Sequence, residues 1–281
     1  MSEFILGHEP AIRLGIFLGI LFAMAVWEAL APRRPRSVSR WRRWPSNLGL
    51  VVLNTVGVRL AIPVTAVALA ILGEQGGWGA LNAVTLPGWV RVVVSVLVLD
   101  LVIYLQHALF HAVPALWRLH RMHHADLDFD VTTGTRFHPI EILLSMGLKL
   151  LVVAALGAPP IAVLVFEIAL NATAMFNHGN VGLPAWLESV LRWIVVTPDM
   201  HRVHHSVVPR ETNSNFGFNL PWWDRVFGTY CAEPTGGQAG MTIGLERFRD
   251  PGELRLDRML VQPLAGSVDA HPIEPQGGSR S

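Results

Sequence analysis

The chain has 281 residues, of which 51% are hydrophobic and 15% are charged, and this composition is too apolar for an ordinary soluble domain. A net charge of +1 and the lack of a basic stripe interleaved with aromatic residues argue against a nucleic-acid partner. The single cysteine, Cys231, cannot form an internal disulfide or a thiolate metal site, so any metal chemistry must use imidazole.

The amino-terminal part, residues 1–88, is predicted to contain transmembrane helices. Residues 11–31 are apolar and long enough to cross a hydrocarbon layer of about 30 Å. They lack the flanks of a signal peptide, so we expect them to be retained as a span. Six arginines between Pro32 and Pro45 then predict a cytoplasmic loop by the positive-inside rule. A second apolar run covers residues 48–72.

A third span, from Trp89 to His111, is expected to return the chain to the cytoplasmic side. Asp100, Tyr104, His107 and His111 recur at spacings of four, three and four, which places them on one helical face. We expect this face to point into the protein. Asp100 and Tyr104 are predicted to hold the rings of metal-bound histidines, although a structural hydrogen bond inside the bundle fits them equally well.

Two further stretches carry histidines at the same end. Pro114 begins a new helix, which bears His120, His123 and His124. His138 precedes the next helix and is predicted to cap it with its ring directed towards the other histidines, as a metal ligand or as a hydrogen-bonding group.

The apolar residues 140–175 are interrupted at residues 157–160 and predict a helical hairpin that returns to the cytoplasmic side at His178. The hairpin either crosses the bilayer fully or forms a re-entrant pair. A helix capped by Thr197 then carries the last histidines, which are His201, His204 and His205. Residues 232–281 predict a polar tail.

Eight of the 12 histidines therefore fall in the motifs HxxxH, HxxHH and HxxHH. Residues three and four apart share a helical face, so each motif directs its imidazoles towards one point. Imidazole binds iron, zinc, copper and nickel, and eight ligands exceed the needs of one tetrahedral zinc, which favours two neighbouring ions. Histidines on a solvated helix or in a pH-sensing patch are the alternative. The eight are His107, His111, His120, His123, His124, His201, His204 and His205.

These motifs, together with Phe137-His138-Pro139, Asn177-His178-Gly179-Asn180 and the stretch from Asn215 to Arg225, resemble the fatty acid hydroxylase superfamily. The resemblance covers residues 92–230. It implies a membrane-embedded di-iron site that uses O2 as co-substrate to hydroxylate or desaturate a C–H bond of a sterol, fatty acyl or alkyl lipid. It also implies that the eight histidines are ligands, and that His178 and His138 occupy ligand or motif positions.

The resemblance further implies a lipid substrate taken from the bilayer and a separate electron-transfer protein or reductant. Whether that reductant is a pterin is left open. We expect an all-α integral membrane bundle of four to five hydrophobic segments with a cytoplasmic, histidine-rich metal-binding cap. Its catalytic domain would be residues 89–231. The carboxyl terminus lacks a lumenal retention signal, so we expect the bacterial inner membrane.

Two other functions remain open at this point. A zinc-dependent membrane lipid hydrolase would bind two metals without reducing O2, because zinc has no redox chemistry. A histidine-rich membrane metal-binding or transport protein would carry charged residues or histidines deep within several spans. The clustering of the histidines at helix ends favours the oxygenase.

Overall fold

The computed structural model describes residues 7–266, which form helices joined by loops, with two isolated β-bridges and no strand in that range. The prediction of an all-α fold is confirmed. Short 3₁₀ turns cover Thr133–Thr135, Pro251–Leu254 and Gln262–Leu264. The α-helices are, in chain order, α1 (Glu9–Leu30), α2 (Arg40–Ala61), α3 (Ala66–Gly76), α4 (Gly88–Ala112), α5 (Pro114–His124), α6 (Pro139–Leu156), α7 (Pro160–Asn177), α8 (Ala185–Leu191), α9 (Pro198–His204), α10 (Pro209–Thr212), α11 (Trp222–Val226), α12 (Gly237–Gly240) and α13 (Leu256–Val261).

Within residues 7–266, five helical segments are long and apolar enough to cross a membrane, namely α1, α2 continued by α3, α4, α6 and α7. The helices α6 and α7 have 18 residues each, which gives them a length of about 27 Å. That length is close to the thickness of the hydrocarbon layer. Whether the α6–α7 hairpin crosses completely remains a prediction.

The second span differs in detail from its predicted bounds. Helix α2 begins at Arg40, inside the predicted basic loop, because the Ser39 side chain accepts a hydrogen bond from Trp41 N and caps the helix. The helix ends shortly before Pro63, which lacks the N–H that a continuing helix would need. Thr65 then caps α3, so one apolar run becomes two helices.

The core of the bundle lies between α3, α4, α6 and α7. Leu99 and Ile103 of α4 pack there against Val153 of α6 and Phe166 of α7. Helix α1 lies outside this core and packs along α7 through Met24. The rest of its surface is mostly exposed and apolar, as expected for a helix that faces lipid. This packing fixes the ends of α4 and α7, and the short helices α5 and α9 meet them there.

Part of the predicted polar tail packs against the end of the bundle that carries the histidines. Met241 and Ile243 contact Phe129, and Met259 contacts Met122 and Leu50 on α5 and α2; all of these side chains are buried. Residues 267–281, with the final stretch of that tail, lie outside the described residues. The segment 241–264 therefore closes the structure around the histidine-bearing helices.

Candidate metal centre

Nine histidines meet where α4, α5, α7 and α9 converge, and each is at most 3% exposed. They form two groups. Within each group, one ligand nitrogen of every residue lies within 4.8 Å of one from every other residue. The first group contains His107, His111, His120, His124 and His204, and the second contains His123, His178, His201 and His205.

Sequence neighbours are divided between the two groups. His123 and His124 belong to different groups, as do His204 and His205, because successive residues of a helix project about 100° apart. The division also brings the groups side by side. The rings of His124 and His205, one from each group, stack with centroids 4.5 Å apart. The arrangement therefore offers two adjacent sites.

The spacing of the nitrogens fits bound cations. His107 Nε2 lies 3.1 Å from His120 Nε2, and His178 Nε2 lies 3.2 Å from His123 Nε2 and 3.1 Å from His201 Nε2. Ligands at right angles around a metal, with metal–nitrogen distances of about 2.1 Å, are about 3.0 Å apart. Each of these pairs can therefore form one edge of a coordination polyhedron.

Many of the imidazole nitrogens have no hydrogen-bond partner although they are buried. An unsatisfied buried polar group costs about 1–3 kcal/mol, so such a concentration is unfavourable unless cations are bound there. The donor set, which is entirely nitrogen, fits iron or zinc equally well. The unpartnered atoms are His111 Nε2, His123 Nδ1, both nitrogens of His124, His201 Nδ1, His204 Nε2 and both nitrogens of His205.

Backbone carbonyls hold three of the rings from behind. The Nδ1 atoms of His107, His178 and His204 lie 2.7 Å from the carbonyl oxygens of Phe216, Ala174 and Ser214, respectively. Because a carbonyl can only accept, Nδ1 must carry the proton. The lone pair then resides on Nε2, which points into the group, as metal ligation requires.

Two side chains hold the rings of the first group. Glu141 Oε1 lies 2.7 Å from His120 Nδ1, and Asn213 Oδ1 lies 3.3 Å from His111 Nδ1. Within residues 7–266, Glu141 is the one carboxylate paired with a grouped histidine. The sequence placed Glu141 at a helix start without assigning it this role.

His138 lies outside both groups, although it was predicted among the metal ligands. Its Nδ1 accepts a hydrogen bond from Ile140 N and caps α6, so its Nε2 carries the proton and donates to Leu260 O at 3.3 Å. With both ring nitrogens engaged, His138 is a capping residue in this structure. The other nine predicted ligands are the nine that the structure brings together.

Asp100 and Tyr104 do not reach an imidazole, in contrast to one of the two roles predicted for them. Asp100 accepts hydrogen bonds from Asn219 Nδ2 at 2.7 Å and Trp223 Nε1 at 2.8 Å. The Tyr104 hydroxyl bonds to Thr229 Oγ1 at 2.8 Å. Both side chains therefore tie α4 to the covering segment, residues 213–229. That segment supplies two of the carbonyls that accept hydrogen bonds from the histidine rings. Asp100 and Tyr104 therefore affect the rings indirectly, by holding the covering segment in place.

The environment keeps the rings neutral. Removal from water lowers the pKa of His120 and of His178 to about 3. Five other grouped histidines lie outside the membrane-spanning helices. Desolvation, reinforced by the neighbouring histidines, lowers the pKa of each of them well below 6.5. These are His123, His124, His201, His204 and His205. Neutral imidazole is the form that binds a metal ion.

Phenylalanine rings close the groups from water. Phe137 stacks on His123 with centroids 4.5 Å apart, and Phe218 lies 5.0 Å from His107. Both also pack against the core of the bundle. Phe129 covers the opposite side, 5.0 Å from His205. The side that faces the membrane bundle is therefore apolar.

A buried ion pair fixes the loop that follows α5. The Asp126 carboxylate accepts two hydrogen bonds of 2.7 Å from the Arg43 guanidinium, a bidentate pair. Burial alone would raise the pKa of Asp126, but Arg43 and Arg136 lower it to about 2. The pair joins α2 to the residue that lies two positions after His124, which fixes the end of α5.

Comparison with known proteins agrees with this site. The chain is 28% identical to the ornithine lipid hydroxylase of Rhizobium tropici over 224 residues, which are 78% of this chain and 67% of that protein. It is 28% identical to the alkylglycerol monooxygenase of Xenopus tropicalis, over 56% of this chain and 34% of that one. It is also 27% identical to the cholesterol 25-hydroxylase of Rattus norvegicus, over 58% and 53%.

The chain thus spans about a third of the monooxygenase and about half of the cholesterol hydroxylase. No solved structure matches the chain significantly. The family model for fatty acid hydroxylases matches residues 92–229, a range that contains all nine grouped histidines. Across this range the chain is similar to the fatty acid hydroxylase family, and the ornithine lipid hydroxylase extends that similarity over most of the chain.

Proposed function

We propose that this protein is a membrane-bound oxidoreductase that uses O2 and two iron ions to hydroxylate or desaturate a C–H bond of a lipid. The observation that carries the proposal is the pair of adjacent, buried groups of five and four histidines with unpartnered nitrogens. Iron with open positions binds O2 and changes its oxidation state, whereas zinc does not. The hydroxylase and monooxygenase relatives support the same reaction class.

The bound iron would supply the reduction of O2 and the abstraction of hydrogen from the lipid. Insertion of one oxygen atom into a C–H bond consumes two electrons and two protons and releases water. We propose that a separate electron-transfer protein or reductant supplies the electrons. The chain's own residues would hold the ligands neutral and oriented, through Phe216 O, Ser214 O and Ala174 O, and exclude water with Phe129, Phe137 and Phe218.

A lipid would reach the site from the bilayer. Phe137 and Phe218 lie between the histidines and the core of the bundle, so a hydrocarbon chain approaching from this side meets apolar surface. The active site would face the cytoplasm of a bacterial inner membrane. Arg33 supports this orientation, because it belongs to the arginine-rich loop and pairs with Asp199 in the first turn of α9, the helix that carries His201 and His204.

Metal content is the first test. We expect about two irons per chain in detergent-purified protein from iron-replete cells, and their loss from the double variant His123→Ala/His204→Ala, which removes one ligand from each group. The control His138→Ala removes a histidine that lies outside both groups and should retain the metal. Two zinc ions in the wild type, or metal retained by the double variant, would refute the di-iron proposal.

The substrate class is tested separately. Iron-loaded protein with a chemical or enzymatic reductant is offered an ornithine lipid, an alkylglycerol and cholesterol, which are the classes that the relatives' names indicate. We expect one class to stimulate O2 consumption and to yield a product heavier by one oxygen atom, or lighter by two hydrogen atoms. Hydrolysis products without O2 consumption would indicate a hydrolase.

A further inference from the structure

A large cavity lies outside the metal centre, beside the short helix α8. Its volume is about 1020 Å³, and it opens between α8, the turn that precedes it and the segment around residues 225–238. Six charged residues line it: Arg33, Glu188, Arg192, Asp199, Arg225 and Glu233. The three guanidinium groups and three carboxylates give it no net charge as a whole.

The charges are not evenly matched inside the cavity. Arg33 pairs with Asp199, and Arg192 pairs with Glu188 at 2.7 Å and with Glu233 at 3.3 Å. All three carboxylates therefore have an arginine partner. Arg225 has no ion-pair partner among residues 7–266, and its guanidinium donates one hydrogen bond, of 3.3 Å, to Pro221 O.

Two aromatic rings hold the unpaired guanidinium in place. The Arg225 guanidinium carbon lies 4.2 Å from the centroid of the Trp193 ring and 4.0 Å from that of Tyr230. Contacts of this kind use the flat faces of the guanidinium and leave the N–H groups at its edge free. A planar, fixed guanidinium with free edge donors is suited to bidentate recognition of a phosphate or carboxylate.

The surface beside the cavity indicates where such an anion would come from. It carries an apolar patch of exposed side chains, in which the Trp222 indole N–H donates to Trp193 O at 2.7 Å. Exposed apolar side chains that include several tryptophans are typical of the membrane–water interface. The exposed residues of the patch are Trp186, Val190, Trp193, Ile194, Trp222, Val226 and Phe227.

We propose that Arg225, held between Trp193 and Tyr230, binds the phosphate group of a membrane phospholipid in this cavity. The apolar patch would lie in the interface, where phospholipid headgroups are concentrated. Arg225 supplies an unpaired positive charge, because the charges of Arg33 and Arg192 are neutralised by their carboxylate partners. The site is separate from the nine histidines, and the proposal does not depend on the metal or on turnover.

Binding to the purified full chain in a nonionic detergent tests the proposal, with native mass spectrometry as the readout. The probe is dioctanoyl phosphatidylglycerol. Dioctanoylglycerol has the same acyl chains without the phosphate, and inorganic phosphate is the anion without the chains. We expect the phospholipid to bind more tightly than dioctanoylglycerol, and an equal concentration of inorganic phosphate to leave it bound.

Three variants locate the site. Arg225→Gln should weaken binding of the phospholipid about 10- to 100-fold, as expected for loss of charge-assisted hydrogen bonds. Arg225→Lys keeps the charge but loses the planar guanidinium edge, so it should also weaken binding. This variant tests the site even if the glutamine variant folds poorly. Arg36→Gln removes an exposed arginine outside the cavity and should leave binding within about twofold.

The remaining outcomes overturn the proposal. Unchanged binding by both Arg225 variants would show that Arg225 does not bind the phosphate group. An equal loss in Arg36→Gln would show general attraction between the arginine-rich face and an anionic lipid. Displacement by inorganic phosphate would assign the cavity to a soluble anion, and equal binding of dioctanoylglycerol would show that the patch alone retains acyl chains.

Discussion

Glu141 shows how a single side chain determines what a buried histidine can do. Its carboxylate lies 2.7 Å from His120 Nδ1 and leaves the other ring nitrogen, Nε2, facing His107 Nε2. A carboxylate behind an imidazole fixes the tautomer and increases the basicity of the ligating nitrogen. The Glu141–His120 pair therefore determines which nitrogen of His120 is free to bind a metal ion.

We predict that Glu141→Ala lowers the affinity of the metal centre about 10- to 100-fold, because His120 loses its hydrogen-bond acceptor. Glu141→Gln keeps an oxygen acceptor without the charge and should lie between the alanine variant and the wild type. Anaerobic Fe(II) titration of the metal-free protein measures this. The exposed Glu246→Ala is the control, and an alanine variant that binds as the wild type would show that the pair has no such role.

Asp224 is a second single side chain with a testable effect, because its raised pKa makes the stability of the protein depend on pH. Burial raises its pKa to about 6, while hydrogen bonds from Thr229 and from the amides of Gly217 and Phe216, and the charge of Arg225, act in the opposite direction. Because the folded-state pKa lies above the ordinary 3.8, the stability from this group is full below about pH 4 and is lost as the pH rises through 6.

We therefore expect the melting temperature of the wild type, relative to that of Asp224→Asn, to fall between about pH 4 and about pH 7. The asparagine variant has no ionisation in this window, so the subtraction removes the contribution of the histidines that both proteins share. Melting in detergent at several pH values measures it. A difference that stays constant across the range would mean that Asp224 is ionised throughout.

At the scale of the helices, the close approach of the loop after α5 to α7 depends on a glycine. A Cβ built on Gly134 would lie 2.5 Å from Ala174 O and 3.1 Å from His178 Nδ1. The same carbonyl accepts the hydrogen bond from His178. A side chain at this position would therefore displace either the loop or a ligand of the second group.

We predict that Gly134→Ala destabilises the protein by about 1–3 kcal/mol, the usual cost of overpacking, and reduces the metal content of the second group. The control is Gly147→Ala in α6, where a Cβ meets nothing within 4 Å and alanine should stabilise the helix by up to about 1 kcal/mol. Thermal melting and metal analysis of both variants test this. Equal behaviour of the two variants would show that the approach at Gly134 is not needed.

The HxxxH motif was predictable because its two histidines lie about one helical turn apart. The spacing of His107 and His111 predicted a shared face, and both belong to the first group. The prediction that each HxxHH motif directs its imidazoles towards one point is wrong, because His123 lies in a different group from His120 and His124. The sequence does not state how many sites a helix end contacts. Phe216 O and the packing of Met259 have no signal in the sequence, because a carbonyl is present in every residue and an isolated methionine has no periodicity.

At the scale of the whole molecule, a cluster of charges joins three of the spans away from the histidines. The Glu167 carboxylate, which is 2% exposed, pairs with Arg13 and Lys149, each at 2.7 Å, and Arg13 also pairs with Glu9 at 2.8 Å. The cluster contains two positive and two negative groups. It connects the peripheral helix α1 and the helix α6 to α7, whose end supplies His178.

We predict that Glu167→Gln destabilises the protein by about 3–5 kcal/mol, because it leaves two cations with one carboxylate inside the bundle. The double variant Glu167→Gln/Lys149→Met restores the balance of charge and should recover part of that loss, so the two effects are not additive. Unfolding of the full chain in mixed detergent micelles, for the wild type, both single variants and the double variant, measures the coupling. Additive losses would mean that Glu167 and Lys149 act independently, and the charge pair between α6 and α7 would then contribute no coupling to stability.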